Sequence, residues 1–297
     1  MQPRCFQRVS AWLDDGSSEG RILSLALDWA FRLNLPLRVI ATSSSVASLS
    51  ATTVYPRDRW IESGSPVMQK MKAWSAECAQ RGVVMETNFS HEGGEAGMDQ
   101  FLRPGGLCVF GENTASNTPE ELLQRSARDP EIAVLLCPPT CVPMARIMVL
   151  CHQSSLNGTY LESAVRLCQA LEIPTVILIV ANTEREAQLR QGYAEGVCHS
   201  FRLQADFDFV VGCDLRSAVS RVASWRSCSH LIIERQNAVS WWPGWNTDLL
   251  DQLRRLSEPL SILALPEATV FEVPPKIRGC SANLLRSGFT GTQMIHP

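Results

Sequence analysis

The chain repeats itself. Sliding its 297 residues by 138 positions lays Arg8-Val9-Ser10-Ala11-Trp12-Leu13 on Arg146-Ile147-Met148-Val149-Leu150-Cys151. The register then holds without a gap. Ser17 meets Ser155, Gly20 meets Gly158, Leu23 meets Leu161 and Ala26 meets Ala164. Leu33 meets Leu171, and Pro36 meets Pro174. Self-similarity at a fixed offset means one structural unit used twice, so the fold must be one that two similar units can share.

Each copy has the grammar strand, loop, helix, strand. Val9 to Leu13 and Ile147 to Cys151 are short continuous apolar runs, as buried parallel strands require. Ile22, Leu23, Leu25, Ala26, Trp29, Ala30 and Leu33 recur at helical spacing. So do Leu161, Ala164, Val165, Leu167, Cys168 and Leu171. Proline lacks the N–H a helix interior needs, so each helix is expected to stop before Pro36 or Pro174. Leu37 to Ala41 and Thr175 to Ala181 read as second strands, reached by a right-handed crossover.

The later parts of the two copies correspond as well. Gly106 to Phe110 is matched with His230 to Glu234 as a fourth strand. Helices are expected over Thr118 to Ala127 and Thr247 to Leu256. Ile132 to Cys137 and Leu260 to Leu265 are expected as fifth strands, closed by Pro138 and Pro266. Between these anchors the first copy has a helix over Pro66 to Gln80 and a strand over Val83 to Asn88. The second has a helix over Arg185 to Tyr193, a strand over Phe207 to Val211 and a helix over Leu215 to Trp225.

Five strands interleaved with helices make one doubly wound unit of α/β class. The domains predicted are 1–140 and 145–266, with a proline-rich linker over Pro138 to Pro143. Residues 267–297 read as a C-terminal tail that straps the surface or is disordered. Pairing or packing of the two fifth strands would bury two edges that otherwise invite aggregation.

Composition excludes several classes. A net charge of −3 gives no general attraction to nucleic acid or anionic membrane. After a polar start, Met1 to Arg8, the first apolar run breaks off at Asp14-Asp15, too early for a spanning helix, so the reading is soluble and cytoplasmic. The 11 cysteines are odd in number, and Cys108, Cys137, Cys151 and Cys168 sit inside apolar runs. They read as packed thiols rather than a disulfide framework. Cys137 and Cys141 lack a second pair at zinc spacing, so no metal site is expected.

Arg8-Val9-Ser10-Ala11-Trp12-Leu13-Asp14-Asp15-Gly16-Ser17-Ser18 resembles the opening strand and Asp-Gly-Ser loop of universal stress proteins. Leu27-Asp28-Trp29-Ala30-Phe31-Arg32-Leu33 and the strand from Leu37 continue the resemblance. Val211-Gly212-Cys213-Asp214 is similar to the family's Gly-x-Pro segment, and Ser229 to Ile233 to its fourth strand. The likeness runs from about Gln7 to Pro266. It implies two tandem Rossmann-like domains of the adenine nucleotide alpha hydrolase-like group. It also implies a five-stranded parallel sheet in each, ordered 3-2-1-4-5.

Some members of that family bind ATP, with an aspartate after the first strand and a Gly-x-x-Gly segment after the fourth. That implies Asp14, Asp15, Gly16, Ser17 and Gly111 as cofactor-binding residues. The plain alternative is a strand-to-helix turn, bent at Gly16 and capped by Ser17 or Ser18. The phosphate loop is degenerate in both copies. Only Gly111 fits in Gly111-Glu112-Asn113-Thr114, and Glu112 is the wrong charge. The second copy offers Glu234-Arg235-Gln236-Asn237 and replaces the aspartate loop with Cys151-His152-Gln153-Ser154-Ser155.

Other candidates compete with simpler readings. His152 with Ser154 and Ser155 suggests a base and nucleophile, but a capped polar loop fits the same letters. Trp241, Trp242 and Trp245 on one loop suggest a partner contact or a lid, or packing between the halves. Arg221, Arg226, Arg254 and Arg255 are interleaved with acids and read as a mixed surface.

The expected function is that of a stress-response or regulatory module: non-catalytic, acting on an unknown protein partner or by self-association, with no nucleic acid and no membrane. The alternative is adenine-nucleotide binding in the first cleft, with ATP as ligand and at most weak hydrolysis. An enzyme of the wider fold group would need a Ser-Gly-Gly-x-Asp-Ser loop after a first strand, and none is present.

Overall fold

The computed structural model describes residues 4–13, 19–42, 66–90, 101–102, 105–111, 126, 131–140, 143–152, 158–235, 259–266 and 271–272. In chain order these form β1 (Arg4–Cys5), β2 (Arg8–Leu13), α1 (Glu19–Leu33), β3 (Leu37–Thr42), α2 (Pro66–Gln80), β4 (Met85–Ser90), β5 (Gly106–Gly111) and β6 (Ala133–Cys137). The second copy supplies β7 (Ile147–Cys151), α3 (Gly158–Leu171), β8 (Thr175–Ala181), α4 (Glu184–Ser200), β9 (Ala205–Val211), α5 (Leu215–Arg226), β10 (His230–Arg235) and β11 (Ser261–Pro266). A last short strand, β12, is Phe271–Glu272. The helices expected over Thr118 to Ala127 and Thr247 to Leu256 lie outside the described residues, except Ser126, which is helical.

The strands join into one sheet of order β4-β3-β2-β5-β6-β11-β10-β7-β8-β9. Each half is parallel and runs 3-2-1-4-5 in its own strand numbering. The halves meet where β6 and β11 pair antiparallel, with Leu135 opposite Leu263. The fifth strands therefore hide each other's edges, as the pattern anticipated. Because that one pair is antiparallel, the carboxyl ends of one half's strands lie at the sheet edge where the other half's strands begin.

Burial on both faces explains the apolar runs. Every residue of β5, β6, β7, β8 and β11 is buried. Two cores sandwich the sheet. One holds α1, α3 and α4 with Val9, Ala11, Leu107, Val109, Val149 and Ile232. The other lies under α5, with Trp12, Cys108, Phe110, Met148, Leu231 and Ile233. Alternate residues of one strand feed opposite cores, as the pleat requires.

Helix ends explain the turns. Asn34 and Glu172, repeat counterparts, both have positive φ, near 53° and 55°. The amide of Asn34 donates to Phe31 and that of Leu35 to Ala30, which satisfies the last carbonyls of α1 before Pro36. Gly82 and Arg202 play the same part after α2 and α4.

Three expectations need correction. The fourth strands align one residue away from the sequence match. Val9 sits opposite Leu107, and its counterpart Ile147 opposite His230. Thus Leu107 answers to His230 and Gly111 to Glu234. A slip of one residue moves every side chain to the wrong face, and the assignment to the two cores fixes the register. Next, α4 does not stop at Tyr193 but runs to Ser200. Its buried stripe continues through Ala194, Val197 and Cys198, and that burial outweighs Gly192 and Gly196. Lastly, the strand expected from Val83 begins at Met85, because Gly82 and Val83 close the helix before it.

Phe271–Glu272 pairs parallel with Arg4–Cys5, forming a two-stranded clasp, and β12 packs against α3.

Candidate functional site

Open α/β sheets bind ligands outside the carboxyl ends of their strands, where the strand order reverses. In the first half that point lies between β2 and β5, because β3 flanks β2 on its other side. Asp14, Asp15, Gly16 and Ser17 follow β2 directly but lie outside the described residues. Gly111 is the last residue of β5, buried, and opposite Cys137. Gly111 therefore stands at the edge of the sheet where β2, its parallel neighbour, ends. Trp241, Trp242 and Trp245 also lie outside the described residues, as do Glu112, Cys141, Ser154, Ser155, Arg254 and Arg255.

The corresponding point of the second half lies between β7 and β10, and it is well defined. The two strands stay in register as far as Val149 opposite Ile232. Beyond that, Tyr160 from the first turns of α3 reaches across. Its hydroxyl lies 3.1 Å from the carbonyl of Leu150 and 3.0 Å from that of Ile232, so its single O–H is shared between the two strands. The ring is fully buried. Burial, and then the nearby Glu234 carboxylate, hold its proton on well above the usual phenol range.

Arg190 closes the neighbouring strand end. It comes from the buried face of α4 and is 2% exposed. Its Nη1 donates to the carbonyl of Val180 at 2.5 Å, and its Nη2 pairs with Glu186. Glu186 also accepts from the amide of Asn182 at 2.9 Å, while Thr183 caps the helix by accepting from Glu186 N at 3.2 Å. Arg190 Nε has no hydrogen-bond partner among the described residues.

The Cys151 thiol is held in its protonated form. Burial pushes the Cys151 thiol up to about 11, against a smaller opposing pull from Arg190. A thiol at that value carries almost no thiolate at neutral pH. Burial, and then Arg190, lower the pKa of His152. Glu234 stands at the end of β10, the counterpart of Gly111, so the second half presents a carboxylate where the first has a bare backbone. Among the described residues no group of three or more His, Cys, Asp or Glu could hold a metal ion. No described helix is long and apolar enough to cross a membrane.

The suspected basic patch is a paired surface where it is described. Arg226 grips Asp208 through Nε and Nη2 at 2.7 and 2.9 Å and approaches Asp206 at 3.5 Å. Arg146 reaches the same Asp206 at 3.4 Å.

Sequence reasoning missed Tyr160, Arg190 and Glu186. A signal for Arg190 was present: it interrupts the apolar stripe Ala187, Ala194, Val197 on α4, so its charge had to point inward. Tyr160 gave no such signal, since a tyrosine on an apolar face packs like any aromatic.

No protein-family model and no curated protein matches the sequence. Solved structures do match across both halves. A universal stress protein from Archaeoglobus fulgidus DSM 4304 superposes with a TM-score of 0.58 at 11% identity, covering 88% of this chain and 98% of that one. A structure described as a universal stress protein from Pseudomonas aeruginosa UCBPP-PA14 gives 0.56 at 12%, covering 88% and 93%. The cytoplasmic domain of a prokaryotic cation chloride cotransporter gives 0.57 at 11%, covering 89% and 97%. At these identities the likeness establishes the fold: two halves joined as in tandem universal stress proteins.

Proposed function

We propose that this chain, which shares its fold with the universal stress proteins, is a non-catalytic stress-response or regulatory module that works by binding. Fold does not dictate activity, so the argument rests on the site. The observation that carries it is Glu234 at the counterpart of Gly111. A phosphate cradle needs bare backbone N–H groups and no negative charge. The second half places a carboxylate there, acting on Tyr160 and Cys151 beneath it. The high Cys151 pKa also argues against a nucleophile in this cleft.

The binding target in this reading is a protein, or a second copy of the chain, with Trp241, Trp242 and Trp245 as the contact. A net charge of −3 argues against nucleic acid or anionic lipid as the partner.

A second reading keeps adenine-nucleotide binding in the first half. Gly111 ends β5, the parallel neighbour of β2, and the sequence after β2 is Asp14-Asp15-Gly16-Ser17, which carries the acids a nucleotide would use. Titration calorimetry with ATP and Mg²⁺, beside AMP, separates the two readings. Saturable binding that is lost on Asp14→Ala with Asp15→Ala supports the nucleotide site. No heat and no thermal shift at millimolar ligand discards it and leaves the partner-binding reading.

A further inference from the structure

The two clefts are not equal. In the second half Tyr160, Glu234 and the Arg190–Glu186 pair stand at the strand ends. Tyr160 answers to Ile22, which has no hydroxyl to give, and Glu234 to Gly111, which has no side chain. Arg190 answers to Lys70, and Glu186 to Pro66. That match follows the register of the strands after the two helices. It also sets Cys78 on Cys198, whose carbonyls accept from Val83 and Leu203 in the same helix-closing turn. The first half thus keeps a cation on this helix but has proline where the second half has its neutralising acid.

The hydrogen bonds of the second half show what its own set does. The carbonyls of Leu150 and Val180 belong to the next-to-last residues of β7 and β8, and that of Ile232 lies where β10 leaves its pairing with β7. Such strand-end acceptors are the fixed polar groups that a ligand entering a cleft of this class would meet. Here the chain supplies the donors itself. The one O–H of Tyr160 is shared by the first two, Arg190 donates to the third, and Glu186 neutralises the buried guanidinium.

A second feature lies at the same edge. β11 ends there at Pro266, and after four intervening residues Phe271 begins β12. So short a link reaches at most about 18 Å. β12 packs against α3, the helix whose first residues rise from this edge and carry Tyr160, and it is tied to β1.

We infer that the second half is a self-liganded cleft, filled by Tyr160 and Arg190 and strapped by the β1–β12 clasp, which leaves one cleft per chain for any outside ligand. This deepens the binding reading and rests on it only for the identity of that ligand.

Peptide-resolved labelling of full-length protein with N-ethylmaleimide tests the closure at Cys151, with Cys78 and Cys108 as buried references in the first half. In the native chain Cys151 is expected to react as slowly as they do. Arg190→Ala removes the filling, and Phe271→Pro puts a residue without an N–H into the β1–β12 pairing. In either variant Cys151 is expected to label about ten-fold faster or more, with Cys78 and Cys108 unchanged, as a local opening predicts. Arg190 lowers the Cys151 pKa, so its loss alone would slow the reaction, and acceleration therefore reports opening. An unchanged Cys151 rate in both variants overturns the inference. So does a rise shared by all three cysteines, which means global loosening. Should Arg190→Ala fail to fold, Phe271→Pro decides alone. The labelling uses no nucleotide, so a failed ATP titration would sink the nucleotide reading without touching this result.

Discussion

Leu135 and Leu263 face each other across the only antiparallel pair that the described residues form in the ten-stranded sheet, and each is the other's repeat counterpart. Their neighbours obey the same rule. Ile262 faces Leu136, and Ala264 faces Val134. The pseudo-twofold axis therefore passes between these two leucines. Both are fully buried. Leu135→Ala and Leu263→Ala should each cost about 2–5 kcal/mol, by similar amounts. The double variant should depart from the sum, because the two share one cavity. Urea unfolding of the three variants checks this; strict additivity would mean the two leucines do not share one cavity.

His230 is the place where the symmetry breaks. Its counterpart Leu107 is a buried leucine, and Trp29, whose ring centroid lies 6.0 Å from the His230 ring, answers to Leu167. Nδ1 meets Ser229 Oγ at 3.0 Å, but Nε2 has no partner among the described residues. Burial, and then Arg32, push its pKa down from 6.5 to about 3. Above pH 6.5 the ring is neutral both folded and unfolded, and the stability is fully present. As pH falls below 6.5 the unfolded chain takes up a proton that the folded chain refuses until about pH 3. Stability should drop across that window, by roughly 3 kcal/mol at pH 4. His230→Leu should be about 1 kcal/mol more stable at neutral pH and should lose this part of the acid sensitivity. Thermal melts of both proteins from about pH 7.5 to 4 read the difference. Parallel curves would show that His230 does not carry it.

Arg235 ties the halves together at the other end of β10. It is buried, and its Nη1 donates 2.6 Å to the carbonyl of Ile132, at the start of β6. Arg235→Met keeps the apolar stem and loses the donor. The carbonyl is left in a dry site, so a loss of about 1–3 kcal/mol is expected in chemical unfolding. No change would mean that water replaces the guanidinium there.

Tyr160→Phe isolates the hydroxyl that joins β7 to β10. Removing it leaves the buried carbonyls of Leu150 and Ile232 without that donor, at a cost of about 1–3 kcal/mol. Hydrogen exchange should rise at the carboxyl ends of those strands and not in β2 or β3. Uniform exchange across both halves would contradict the local role.

The fold was legible because its signals are local. The match of Arg8 to Leu13 with Arg146 to Cys151 shows two units. Pro36 and Pro174 mark the helix ends, and continuous apolar runs mark strands buried on both faces. The fourth strand slipped by one residue because Gly106 to Phe110 and His230 to Glu234 look alike in pattern, and only pairing with β2 and β7 sets the register. The second-half cleft was less legible. Which carbonyl Tyr160 or Arg190 reaches depends on strands 10 to 72 residues away from either side chain. The clasp of Arg4–Cys5 with Phe271–Glu272 joins two strands of two residues, too short for any periodicity to register.

The antiparallel seam between β6 and β11 also gives the molecule two poles. Everything that follows the ends of β2 and β5 emerges at one pole, and everything that follows β7 and β10 at the other. A ligand or partner held at one pole stands at the opposite edge of the sheet from its symmetry-related position, so two occupants would never touch. The paired leucines of the axis lie between the two poles, and each pole belongs to one copy of the repeat.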